Sequence, residues 1–288
     1  MRKNIPIAIA YDFDGTLAPG NMQERDFIPD VGMTKQAFWD NVGEQAKAHQ
    51  ADNILIYMKL MLEKANSAEV PVRRKDFEAY GRGLDFFQGV LPYKVSQKPV
   101  LGWFKRINKY GKESGVSIQH FIISSGIREM VTGSPVAKEF TAIYASSFCY
   151  DHNGVAKWPA LAINYTNKTQ YLFRINKGAL EVYDHTKINK SIPKSERAVP
   201  FEHIMFVGDG DTDVPCFRLI KDQGGHAIAV YRPSTKGAKK RAVSLCKEGR
   251  VNFIAPADYR EGHRLDKIVK GVIDKIAFDQ TLAKFAEK

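Results

Sequence analysis

Apolar residues along the chain fall into two rhythms. Ile5–Tyr11 is a nearly unbroken apolar run rich in β-branched residues, and it stops at Asp12. A strand buried on both faces reads this way, as in a parallel sheet. Similar runs follow at Phe121–Ile123, Ile204–Val207, Ala227–Val230 and Val251–Ile254. Between them the spacing is helical. Trp103, Ile107 and Tyr110 share one face, as do Leu265, Ile268, Val269 and Val272. Strands alternating with helices predict an α/β fold with a Rossmann-like parallel-sheet core.

The stretch from Ala18 to Val90 breaks the alternation. It holds no buried-strand pattern. Ile54, Tyr57, Met58, Met61 and Leu62 recur at helical spacing, and a second helical stretch after Arg73 carries Phe77, Tyr80, Leu84 and Phe87. We read residues 18–90 as an inserted α-helical cap domain, and residues 1–17 with 91–288 as the core. Trp39, Tyr57 and Met58 are assigned to the interior of the insert. Near Asn153-Gly154 an Asn-Gly turn flanked by apolar residues predicts a hairpin.

The chain has 288 residues, 44% of them hydrophobic, which suits one large or two modest domains. Its three cysteines, Cys149, Cys216 and Cys246, are odd in number and far apart. A disulfide framework is not expected, and a reducing, cytoplasmic setting fits better. Residues Met1–Pro6 are basic, but no signal-peptide apolar core follows. The run Asn53–Met58 is cut short by Lys59, so no membrane span is expected. Net charge is +11, and seven Lys/Arg crowd between Arg232 and Arg250. No aromatic-interleaved basic stripe, zinc finger or RNA-recognition signature accompanies them. They read as a solvated surface, and a nucleic-acid partner is not expected.

Three of the predicted strands end in polar clusters, and the carboxyl ends of parallel strands are where ligands sit. The first is Asp12-Phe-Asp14-Gly-Thr-Leu17, and the last is Gly208-Asp209-Gly-Asp-Thr-Asp213. Carboxylates brought together there need a compensating cation, and oxygen donors favour Mg²⁺. Between them lies Ser124-Ser125-Gly126, where a hydroxyl and backbone N–H groups suit a phosphoryl oxygen; a plain helix N-cap reads the same way. Asp213 stands where a dinucleotide fingerprint needs glycine, and no P-loop sequence is present.

Together these segments resemble the haloacid dehalogenase superfamily. Asp12–Leu17 resembles its first motif, Ser124 its second and Gly208–Asp213 its fourth. The third is a lysine, which Asn176-Lys177-Gly178-Ala179-Leu180 matches, with Lys168 in Thr166–Gln170 as the alternative. The resemblance implies a Mg²⁺-dependent phosphomonoesterase acting on a small phosphorylated metabolite. Asp12 would be the nucleophile and Asp14 the general acid/base. Ser124 would bind a phosphoryl oxygen beside Ser125 and Gly126, and Lys177 would neutralise charge. Asp12, Asp14 (through its carbonyl), Asp209 and Asp213 would surround the metal. A helical insert between the first two motifs resembles the class that includes phosphoserine phosphatase. Gly15 and Asp211-Thr212 depart from those enzymes, and Glu24 is out of register for their cap acid, so phosphoserine is not implied. Arg73 and Arg74 are candidates for a second acidic group of the substrate. The same motifs also occur with 5'-nucleotidase or phosphotransferase activity. A non-catalytic anion or nucleic-acid binder on this fold is the alternative of another class.

Overall fold

A computed structural model describes residues 5–286; the basic segment Met1–Asn4, on which the signal-peptide expectation partly rests, lies outside them. In chain order, β1 (Ile5–Tyr11) leads into a helical stretch: α1 (Phe27–Asp30), α2 (Lys35–His49), α3 (Asn53–Ser67) and α4 (Arg74–Arg82). A small hairpin follows, β2 (Tyr93–Val95) and β3 (Lys98–Val100). Then come α5 (Trp103–Glu113), β4 (Val116–Ile127), α6 (Arg128–Gly133), β5 (Ala142–Tyr150) and β6 (Ala156–Leu161). The last part holds α7 (Thr169–Lys177), α8 (His185–Asn189), β7 (Ile204–Gly208), α9 (Val214–Asp222), β8 (His226–Tyr231), α10 (Ala238–Lys247), β9 (Phe253–Pro256) and α11 (Arg264–Ala286).

Seven strands form one sheet in the order β6-β5-β4-β1-β7-β8-β9. All neighbours run parallel except the edge pair β5–β6. The strand β1 sits at the centre, and Ile7 through Tyr11 are fully buried because helices cover both faces. One face packs Ile7, Ile9 and Tyr11 against the insert, α5 and α11. The other packs Ala8 and Ala10 against Phe206, Phe217 and Tyr171. The alternation of the β1 side chains thus feeds both layers.

The α/β class, the helical insert after β1 and the β5–β6 hairpin agree with the sequence pattern. Gly154 turns that hairpin with φ +73°. Two elements differ. The helix after Arg73 ends at Arg82, so Leu84 and Phe87 follow it rather than lie on it. The strand containing Phe121–Ile123 runs on through Ser-Ser-Gly to Ile127, and α6 starts only at Arg128.

The helix α4 sits directly on α6. A Cβ on Gly81 would come within 2.0 Å of the Met130 carbonyl oxygen, and one on Gly133 within 2.0 Å of that of Glu78. The two backbones touch because neither glycine has a side chain. Phe77 also stacks on Phe148 of β5, and Phe27 of α1 packs on Phe77 and Tyr80. The hairpin of α2 and α3 stands over the carboxyl end of the sheet.

Candidate active site

Asp12 is the first residue beyond β1, and its N–H still pairs with the Val207 carbonyl (2.9 Å). The chain then turns sharply, with Leu17 and Ala18 N–H both donating to the Phe13 carbonyl. Gly15 makes the turn at φ +74°, and a Cβ there would lie 2.2 Å from Asp209 Oδ2. Both conformation and contact therefore require glycine. The turn sets Asp12 beside β7, whose end supplies Asp209. Met22 N–H donates to Asp14 Oδ1 (2.9 Å) and fixes that side chain.

Carboxylate oxygens of Asp12, Asp209 and Asp213 all lie within 4.8 Å of one another. Asp213 is fully buried. Its Oδ2 accepts from the N–H groups of Asp209 (3.1 Å) and Gly210 (3.2 Å), and its Oδ1 from Lys168 Nζ (2.7 Å). Lys168 Nζ also donates to Asp12 Oδ1 (3.2 Å) and Thr212 Oγ1 (3.3 Å). The donor set is entirely oxygen, and Asp12 and Asp209 keep carboxylate oxygens free of protein cations, so the cluster fits a hard divalent ion.

Confinement decides the protonation states. Burial pushes the Asp12 carboxyl up to about 6; Lys168 pulls it back and Asp213 pushes it further. Asp14 is raised well above the ordinary carboxylate range, by burial first and then by the Asp12 charge. Burial works against the Lys168 ammonium, but Asp12 and Asp213 outweigh it and hold its pKa above the ordinary lysine range.

The lysine assignment is corrected. Lys168 meets the carboxylates; Lys177 does not. Lys177 is the last residue of α7, and its ammonium donates to the carbonyls of Ile188 (2.7 Å) and Lys190 (3.0 Å). Gly178 ends that helix in a left-handed conformation, φ +65°, so Gly-Ala-Leu marks a helix stop and not a start. Lys168 is delivered by the turn Tyr165–Lys168 that opens α7, where Tyr165 takes φ +36°.

A cavity of about 680 Å³ opens over these groups, lined at its floor by Asp12, Asp14, Ser124, Ser125, Gly126 and Asp209. Ser124 Oγ accepts from Gly126 N–H (3.1 Å), which leaves its proton to donate. Ser125 Oγ and Gln23 Oε1, both at the cavity, are buried with no hydrogen-bond partner among the described residues. Such orphans mark room for a polar ligand.

The arginines expected at the substrate are elsewhere. Arg74 lies over the Tyr150 ring (4.3 Å to its centroid) and pairs with Glu129 (3.5 Å). Arg73 is exposed at the start of α4. Neither lines the cavity, because α4 is bound to α6 on the flank of the sheet. Trp39 and Tyr57, assigned to the insert's interior, line the cavity instead, while Met58 is buried as expected. Tyr57 Oη donates to the Ser125 carbonyl (2.6 Å). Glu24 accepts from Trp39 Nε1 (2.9 Å) and does not line the cavity. Tyr165, Arg232 and Arg241 also line it; no periodicity in the sequence singles them out.

No protein-family model matches the chain. It is 30% identical to an uncharacterized protein of Borreliella burgdorferi, over 92% of this chain and 95% of that one. Among solved structures it resembles a HAD family hydrolase from Salmonella enterica serovar Typhi (TM-score 0.52, 18% identity), over 80% of this chain. The match spans 65% of the Salmonella chain, just under two-thirds of its length. It also resembles a phosphoserine phosphatase solved as a phospho-aspartyl intermediate analogue, with TM-score 0.51 and 14% identity over 93% of this chain and 99% of that one. A probable phosphoserine phosphatase from Vibrio cholerae matches at TM-score 0.54 and 11% identity, over 96% and 67% of the two chains. These likenesses establish the fold. Among the described residues no helix is long and apolar enough to cross a membrane.

Proposed function

We propose that this chain, which belongs to one family with the Borreliella burgdorferi protein and is built on the fold of the haloacid dehalogenase hydrolases, is a magnesium-dependent phosphomonoesterase. The observation that carries this reading is the convergence of Asp12, Asp14 and Asp209 at one cavity beside Ser124, with the buried Lys168 hydrogen-bonded to Asp12 behind it. Each group then has a task in phosphoryl transfer, which needs positioning and charge neutralisation above all.

In the first step a carboxylate oxygen of Asp12 attacks phosphorus. The new bond is an aspartyl-phosphate, the bond from phosphorus to the ester oxygen breaks, and Asp14 gives its proton to the departing oxygen. In the second step Asp14 takes a proton from water. The hydroxide oxygen bonds to phosphorus, and Asp12 leaves as a free carboxylate with inorganic phosphate as product. The raised pKa of Asp14 suits the first role, since a protonated acid must be present when the ester binds. Lys168 keeps Asp12 ionised in spite of burial, and the Ser124 hydroxyl is placed to donate to a phosphoryl oxygen. Asp12 and Asp209, with the Asp14 carbonyl, would hold Mg²⁺, which when bound offsets the repulsion between Asp12 and an anionic ester. Asp213, saturated by Lys168 and two N–H groups, supports this set rather than completing it.

Residues 18–90 serve as the cap in this reading, α2 and α3 forming its roof over the ester. The free cysteines Cys149, Cys216 and Cys246 suit a reducing, cytoplasmic setting. The test is phosphate release from a panel of phosphomonoesters with Mg²⁺, with chelator, and with Asp12→Asn. Metal-dependent release abolished by Asp12→Asn is expected. A folded protein that releases no phosphate from any ester refutes hydrolysis and leaves transfer to an acceptor, or anion binding without chemistry.

A further inference from the structure

We infer that Arg232 and Arg241 form a second anion subsite, so that the substrate is a phosphate ester whose leaving group carries another phosphate or a carboxylate. The inference rests on the phosphomonoesterase reading and narrows it. Of the seven basic residues between Arg232 and Arg250, these two line the cavity that holds Asp12 and Asp209. Lys236, Lys239 and Lys240 line a separate groove, and Arg250 pairs with Glu248 (2.8 Å).

Neither guanidinium has a hydrogen-bond or ion-pair partner among the described residues. Asp211, on the same cavity, is left unpaired as well, so the arginines are not spent on neutralising the acids. Their placement fits a ligand with two charged ends. Arg232 is the first residue beyond β8, and β8 is two places from β1 in the sheet. Two strand spacings put its backbone about 10 Å from the strand that ends at Asp12. An arginine side chain spans much of that gap, so the second anion sits a few bonds away from the reacting phosphorus. Arg241 comes from the first turns of α10, whose N-terminal residue Ala238 also lines the cavity. Trp39 and Tyr57 line the same cavity and offer apolar surface to the body of such a ligand. A cavity of about 680 Å³ holds such a body as well as the phosphoryl group.

The decisive comparison uses non-hydrolysable probes, so that it does not depend on turnover. Alkane-diyl bisphosphonates are titrated calorimetrically against alkyl phosphonates of the same graded lengths, in the presence of Mg²⁺. The bisphosphonates should bind about ten- to a hundredfold more tightly at the best length. That advantage should vanish in Arg232→Ala/Arg241→Ala and persist in Lys239→Ala, which alters the same helix outside the cavity. Carboxyalkyl phosphonates decide whether the second group is carboxylate or phosphate. Equal affinities at every length, or an advantage that survives the double substitution, would overturn the subsite. Failure of phosphate release with an intact bisphosphonate advantage would instead overturn the hydrolase reading and leave the subsite standing.

Discussion

Replacing Lys168 with methionine separates the two lysines that compete for one role. Lys168 is completely buried, with its ammonium 2.7 Å from Asp213 and 3.2 Å from Asp12. At an effective dielectric constant of about 20 those contacts are worth roughly 6 and 5 kcal/mol before the cost of desolvation. Loss of one partner from such a buried group costs about 3–5 kcal/mol net, because the remaining carboxylates are left uncompensated. That is a large part of the roughly 5–15 kcal/mol by which domains are stable. Lys177→Met removes two hydrogen bonds to carbonyls at the half-buried end of α7 and should cost about 1 kcal/mol. Denaturant unfolding with and without Mg²⁺ measures both. Catalytically, kcat/KM should fall about a hundred- to a thousandfold or more in Lys168→Met and stay within about threefold in Lys177→Met. Since Lys168→Met is a severe lesion, Lys168→Met/Asp213→Asn is the companion: removing both charges should recover a good part of the stability and none of the activity. A stable, active Lys168→Met beside an inactive Lys177→Met would refute the assignment.

Other expectations follow from individual groups. Tyr11 Oη receives Trp103 Nε1–H and donates to His120 Nδ1, so His120 carries its proton on Nε2 toward Asn108; burial lowers its pKa to about 3. The unfolded chain therefore binds one more proton between pH 6.5 and 3, and stability falls as pH drops through that window, by up to about 5 kcal/mol. Unfolding curves of His120→Asn should lose that part of the slope, and an unchanged slope would refute it. Mg²⁺ should raise the melting temperature by mass action, and Asp209→Asn should weaken Mg²⁺ binding at least about tenfold by calorimetry. Gly81→Ala and Gly133→Ala should each cost about 3 kcal/mol, since the added methyl meets a backbone carbonyl. Gly271→Ala, exposed in α11 with open space around its Cβ position, should stabilise by up to about 1 kcal/mol in thermal melts.

What the sequence made legible was the sheet and the groups hung on its strand ends. An apolar run that stops abruptly at Asp12, or at Gly208-Asp209, announces a buried parallel strand and the loop after it. The structure brings those two loops together, with Ser124 at the end of β4 on the other side of Asp12. The lysine was harder to place. It reaches the site from a short turn whose register no periodicity sets, and Gly178 looks alike at a helix start and a helix stop. Exposed arginines carry no pattern at all: Arg73-Arg74 and Arg232 with Arg241 are equally polar, and only the packing of α4 on α6 turns the first pair away. Trp39 and Tyr57 were assigned to an interior because an aromatic lining a cavity has the same apolar signature as one in a core.

The backbone contact at Gly81 and Gly133 also decides which part of the insert can swing. Helices α4 and α6 are locked face to face and must travel with the sheet. The hairpin Lys35–Ser67 is joined differently: it is bounded by left-handed turns at Gly32 (φ +73°) and Glu69 (φ +55°) and packs on the core through side chains such as Phe38, Met58 and Met61. It is latched by Tyr57 on the Ser125 carbonyl and by Asn164 Nδ2 on Asp52 (3.1 Å) and Asn53 (2.9 Å). Any opening of the cavity on that side must part side-chain packing and a handful of polar contacts, Trp39 and Lys35 on Glu24 among them, but no backbone clasp. A seam for exchanging this roof with that of another protein belongs at those two turns rather than at the ends of the whole insert.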